Sequence, residues 1–102
     1  YIGSDACSST GATDAYNSSV AESSSSDDGV LINGLWDTFF ESNITGTVDG
    51  DVITIPNQDP DSDGFTIEGS GTYTDGTIAW SFTVTETESG LVDQCTMTAT
   101  KQ

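Results

Sequence analysis

The chain has 102 residues, room for one domain with a modest core, and its 17 Asp and Glu face a single cation, Lys101, with no His, for a formal net charge of −16. That balance excludes nucleic acid and anionic membrane surfaces as partners, because proteins engage polyanions through Lys and Arg. It also removes imidazole bases and guanidinium clamps, so the chain is not expected to be an enzyme.

Only 33% of the residues are hydrophobic, so order has to come from their arrangement. Residues 1–7 read as a strand with Tyr1, Gly3, Asp5 and Cys7 on one face, and a Ser/Thr/Gly/Asp connection follows over 8–14. Residues 15–25 carry little beyond Tyr16 and Val20 and form a weak strand; the Ser-rich stretch 23–29 is a turn. The apolar run 30–36 is interrupted by Asn33-Gly34, a bulge or a second turn. Residues 40–48 place Ile44, Gly46 and Val48 on one face and lead into the hairpin signal Asp49-Gly50. Residues 51–56 align Ile53 with Ile55, and an acidic loop covers 57–64.

In 65–74, Phe65, Ile67, Gly69, Gly71 and Tyr73 alternate with polar residues, and Asp75-Gly76 is another hairpin signal. Residues 77–85 are the clearest strand, with Ile78, Trp80, Phe82 and Val84 on one side and small polar residues on the other. After a turn over 86–90, the strand 91–100 sets Leu91, Cys95, Met97 and Ala99 in register, with Asp93 the exception. The period is two throughout, with no helical stretch. The expectation is an all-β fold, an antiparallel up-and-down barrel of about eight strands, closed if the first strand pairs with the last; a two-sheet β-sandwich is the alternative.

Cys7 and Cys95 sit near the two ends, without a CxxC motif or the His ligands of a zinc site. A disulfide is favoured over two free core thiols. It would close most of the chain into a loop, worth roughly 4 to 5 kcal/mol in the chain-entropy model, and it implies an oxidising compartment. No run approaches the roughly 18 apolar residues of a spanning helix, and no signal-peptide pattern is present, so membrane insertion is not expected. The sequence begins at Tyr1 rather than Met, which reads as a processed product or the later part of a longer exported chain.

The series Asp5-Ala6-Cys7, Ile53-Thr54-Ile55-Pro56-Asn57-Gln58, Gly69-Ser70-Gly71-Thr72 and Cys95-Thr96-Met97-Thr98-Ala99-Thr100-Lys101 resembles small exported or lipid-anchored domains of Bacteroidetes, especially flavobacteria. The resemblance covers nearly the whole chain. It implies a lipocalin-like or calycin-like β-barrel held outside the cytoplasm, mostly of unassigned function. The lipid-bearing cysteine of such a lipoprotein would lie upstream; Cys7, with no apolar run before it, does not fit that role. The family pattern carries no functional residues to transfer.

The sharpest chemical motif is Asp59-Pro60-Asp61-Ser62-Asp63-Gly64. Carboxylates at alternate positions followed by Gly match the first half of a calcium loop, with Glu68 or a backbone carbonyl as completion. An EF-hand would need an acid where Ser70 stands, and Asp, Pro and Gly are equally the residues of an ordinary turn. Calcium is thus the one candidate cofactor, and none is required. Trp36, Tyr73 and Trp80 offer stacking surfaces for a glycan, although Trp80 shares its face with Ile78 and Phe82 and reads as core. Trp36, Phe39 and Phe40 break the alternation near a turn and are the candidate binding surface at a rim or mouth. Carboxylate pairs for glycoside hydrolysis can be nominated almost anywhere, so they carry no information without geometry. The sequons Asn17-Ser18-Ser19 and Asn43-Ile44-Thr45 read as accidental.

The functional expectation is a non-enzymatic binding or structural module, extracellular or associated with the outer membrane and cell surface. Alternatives are a lipocalin-like carrier of a small apolar ligand, or a subunit of a surface assembly that meets its protein partner through residues 36–40. A carrier needs a hollow interior, which Phe65, Tyr73, Trp80 and Phe82 could equally fill.

Overall fold

The computed structural model describes residues 1–8, 11–12, 16–22, 29–38, 40 and 42–101. Within them the chain forms β1 (Ile2–Cys7), β2 (Gly11–Ala12), β3 (Tyr16–Asn17), β4 (Ser19–Glu22), β5 (Gly29–Asn33), a single helical turn α1 (Leu35–Thr38), β6 (Ile44–Asp49), β7 (Val52–Gln58), β8 (Phe65–Thr74), β9 (Thr77–Glu86) and β10 (Leu91–Thr100). From β4 to β10 each strand pairs antiparallel with the next, and β10 then pairs with β1 over six residues, Ile2 opposite Thr100 through Cys7 opposite Cys95. The expected pairing of first strand with last is therefore present.

Closure comes from the segment that read as weakest. Tyr16 and Asn17 of β3 lie opposite Gly3 and Ile2 of β1, and Ser18 and Tyr1 exchange backbone hydrogen bonds of 2.8 and 2.9 Å. One residue on, Ser19–Glu22 pairs with β5. The same stretch of chain thus faces β1 at its start and β5 at its end, joining the two edges of the sheet. Taken as one strand, β3 and β4 complete a nearly closed, eight-stranded meander in one continuous sheet, with β2 an extra short pairing on β1. A closed sheet leaves few unpaired edge groups.

The alternation sends one residue in two inward. Ile44, Ile53, Ile55, Ile67, Ile78, Trp80, Phe82, Val84, Cys95, Met97 and Ala99 are buried, joined from β5 by Val30 and Ile32. Trp80 fits because Gly71 faces it across the β8–β9 pair: a Cβ there would stand 2.5 Å from Trp80 Cε3. The middle of the barrel is therefore filled by large side chains.

Local departures from the expected pattern have identifiable causes. The strand expected from residue 40 starts only at Ile44, and the run 30–36 ends at Asn33, because Gly34 at φ +96° turns the chain into α1. That helical turn is the exception to an otherwise uniform period of two, and it buries Leu35 completely. Asn33 Nδ2 donates to Asn43 Oδ1 at 3.3 Å, tying the two ends of this connection together. Asp75 (φ +52°) and Gly76 (φ +83°) form the two-residue turn between Thr74 and Thr77, both central residues left-handed as a type I′ hairpin requires. The Asp49-Gly50 signal makes its turn one residue later: Asp49 pairs with Val52, and Gly50-Asp51 is the loop. The Ser-rich turn expected at 23–29 lies, except for Gly29, outside the described residues.

Strand β7 runs to Gln58, two residues into what read as loop, for a specific reason. Continuing the β6–β7 register would set Pro56, which has no N–H, opposite Thr45. The Gln58 side chain substitutes for the missing backbone group. Its Nε2 donates to Thr45 O (2.7 Å) and Pro56 O (2.9 Å), while its Oε1 accepts from Thr45 N (2.8 Å) and Thr45 Oγ1 (3.0 Å). The β7–β8 register shifts by one between Ile55 and Gln58, the bulge that turns Gln58 toward β6.

Cys7 and Cys95 form a disulfide between directly opposed residues of β1 and β10, with Cα atoms 4.1 Å apart. It locks the seam where the start and end of the meander meet. In the chain-entropy picture a loop of this span is worth roughly 4 to 5 kcal/mol.

Candidate functional site

The two ends of the barrel differ in kind. Among the described residues, one end is covered by the connection between β5 and β6. Leu35 of α1 is wholly buried, Phe40 is 3% exposed, and Trp36 lies half-buried over them. The indole stacks at a tilt on Phe40 (centroids 6.2 Å) and on Phe65 (5.9 Å), and its Nε1 donates to Asp93 Oδ2 at 2.9 Å. Trp36 holds a left-handed backbone, φ +56°, which costs a bulky residue of order 1–3 kcal/mol and persists only where contacts over-determine it. Here two ring contacts and one hydrogen bond to a buried carboxylate do so.

Trp36 and Phe40, two of the three residues expected at a rim or mouth, do lie at one end of the barrel, where Phe40 is buried and Trp36 half-buried. Apolar residues that break a strand's alternation next to a turn face solvent only if the chain stays extended; the bend at Gly34 folds them over the barrel end instead. Phe39, the third member of that set, lies outside the described residues.

Asp93, the exception in the last strand, points inward and is fully buried. It lies beside the disulfide, and one ligand atom from each of Cys7, Asp93 and Cys95 falls within 4.8 Å of the others. Both sulfurs are consumed by the disulfide, so the trio has no thiolate to offer a metal.

The acidic loop flanks the same end. Asp59 accepts from Asp63 N through Oδ1 (3.1 Å) and from Gly64 N through Oδ2 (2.9 Å), and Asp63 Oδ1 accepts from Phe65 N at 3.3 Å. Asp61 turns away, its Oδ1 accepting from Ser42 N at 2.7 Å. Glu68 stands on the outer face of β8, opposite Thr83. Asp59, Asp61 and Asp63 thus accept from different backbone amides, and among the described residues the four considered for calcium form no group with ligand atoms within reach of one ion. What the motif does here is close a loop by carboxylate-to-backbone bonds, with Ser62 and Gly64 in left-handed conformations.

The opposite end is open. Tyr1, Val20, Val30, Val48, Ile53, Tyr73 and Ile78, with Gly50 and Asp51 of the β6–β7 turn, line a cavity of about 260 Å³. Its floor is Ile53 and Ile78, both buried; its rim is Val48 and Tyr73, 36% and 39% exposed. Each rim residue sits at an inward position of its strand, yet the inward position nearest a strand end lies beyond the packed middle. The question of hollow or filled has a divided answer: Trp80 and Phe82 fill the centre, Phe65 packs at the covered end, and Tyr73 stands at a mouth that is not filled. Sequence reading named Tyr73 both as a stacking surface for a glycan and as an inward residue able to fill the barrel, and did not single out Val48 or Asp51 as site residues. The available signal was Tyr73's place one residue before the Thr74–Thr77 hairpin.

The outer wall is nearly free of charge along β9 and β10, where Thr77, Ala79, Ser81, Thr83, Thr85, Gln94, Thr96, Thr98 and Thr100 occupy the alternate positions to the core. Among the described residues, no helix is long and apolar enough to cross a membrane. Comparisons with protein-family models, with curated proteins and with solved structures find no match to this chain.

Proposed function

We propose that this domain is a non-enzymatic binding module, exported or displayed at the cell surface, that takes a small apolar ligand in the cavity at the open end of its barrel. The observation that carries this reading is the cavity of about 260 Å³ at one end of the barrel, walled by aliphatic residues and a half-exposed tyrosine, while the described aromatic residues Trp36, Phe40 and Phe65 pack over the other. An apolar concavity with few polar groups is the usual form of a small-molecule site. Its volume falls just under the roughly 300–1,000 Å³ of drug-sized pockets, so the ligand is small, or inserts only one end of a longer molecule. The Cys7–Cys95 disulfide fits an oxidising compartment and supports the exported setting.

The test is fluorescence titration with a neutral apolar dye, N-phenylnaphthylamine, on the whole chain and on Val48→Trp, which places an indole in the mouth. Dye emission is expected to rise on binding to the wild type, with the gain falling at least ten-fold in Val48→Trp while its circular dichroism and thermal midpoint stay close to wild type. A dye that ignores the wild type, or binds the filled variant equally well, overturns the reading.

A further inference from the structure

The open cavity has a chemical bias beyond being apolar. Two of its lining residues are tyrosines, Tyr1 and Tyr73, and one is a carboxylate, Asp51, in the turn at the rim. None is Lys or Arg. The Asp51 side chain is exposed and has no hydrogen-bond or ion-pair partner among the described residues; its turn is held by the backbone, with Tyr73 N donating to Asp51 O at 2.8 Å. Asp49 precedes it across Gly50, and Asp75 stands in the neighbouring hairpin at the same end of the barrel. Lys101 is also at this end, its backbone N–H bonded to Gly76 O, but it does not line the cavity.

These groups are what an organic cation recognises. The negative faces of aromatic rings attract an ammonium whose charge is spread over alkyl groups, a carboxylate at the rim adds a Coulomb term, and aliphatic walls receive the attached apolar body. A neutral apolar ligand would use the walls and leave the carboxylate unused; an anionic one would meet Asp51 and the field of a chain with net charge −16. We infer that the ligand of the open end is a small organic cation, an ammonium carrying an aryl or alkyl group, whose apolar body sits on Ile53 and Ile78 and whose charge lies between Tyr73 and Asp51. This inference rests on the proposed function, since it specifies the ligand class of that same cavity.

Competition against bound N-phenylnaphthylamine separates the two ideas. Three competitors of similar shape, phenyltrimethylammonium, the neutral tert-butylbenzene and the anionic benzenesulfonate, are compared at about 0.15 M salt, where a Debye length of about 8 Å screens diffuse attraction. Phenyltrimethylammonium is expected to displace the dye at about ten-fold lower concentration than tert-butylbenzene, and benzenesulfonate to be the weakest. Asp51→Asn should remove most of that preference. Glu68→Gln, an equal charge change on the outer wall of β8, should leave it intact. If tert-butylbenzene competes as well as the cation, the site stands and the cation inference falls. If both Asp51→Asn and Glu68→Gln lower the preference equally, the attraction is the diffuse field of the chain and the inference also falls. If the dye itself does not bind, the proposed function fails first.

Discussion

Asp93 shows what one residue out of pattern can mean. The alternation of the last strand puts a carboxylate at a position that belongs to the core, and such a side chain is retained in a core only with partners. The strand pattern was enough to mark Asp93 as anomalous; it could not name Trp36 as the donor, 57 residues away, because that contact depends on the backbone bend at Gly34 and Trp36. The pair is best tested as a cycle. Trp36→Phe keeps the ring stacking but removes the indole N–H from a buried oxygen, and should lower stability by about 1–3 kcal/mol in urea titration. Asp93→Leu in that background should cost less than it does in the wild type, because the carboxylate it removes has already lost its indole donor. Additive losses would mean the hydrogen bond contributes nothing to the packing of Trp36.

At the scale of elements, strands with unbroken alternation and the tightest hairpin turn were legible, and the longer connections were not. Ile78 to Val84 declares its face on its own, and Asp75-Gly76 declares its turn. By contrast, the 16–22 segment has only Tyr16 and Val20 to show a face, because its role is to bridge two strands and not to bury a full row. The end of β7 was misplaced for a related reason: a proline reads as the end of a strand unless something replaces its N–H, and Gln58 does so with its side chain. Gln58→Ala should therefore destabilise the domain by about 1–2 kcal/mol, more than most surface substitutions, and speed hydrogen exchange at the Thr45 amide. Unchanged exchange at Thr45 would remove the substitute-backbone role. The acidic loop is the converse case. Its motif was visible, but a carboxylate that accepts from backbone amides and one aimed at a cation have the same spelling, so the bonds of Asp59, Asp61 and Asp63 to backbone N–H groups were not legible.

At the scale of the whole molecule, the charge imbalance gains a spatial form. Carboxylates gather at the turns, as at Asp49, Asp51, Asp59, Asp61, Asp63, Asp75, Glu86 and Glu88, while the wall of β9 and β10 carries Ser, Thr, Ala and Gln. Acidic groups therefore ring the ends of the barrel, and one end is where the cavity opens. Barrel closure was legible as pairing of the first strand with the last, because the two cysteines and the meander agree on it. Which end would be covered was not, since it depends on a four-residue helical turn too short to leave a periodic signature.

The asymmetry of the ends is tested most directly by mapping amide chemical shifts of the whole ¹⁵N-labelled chain during titration with phenyltrimethylammonium. Shifts should concentrate on Gly50, Asp51, Ile53, Tyr73 and Ile78 at the open end, leaving Trp36, Phe65 and Asp93 unmoved. Shifts centred on Trp36 and Phe65, or spread evenly over the acidic turns, would contradict a binding site at the open mouth.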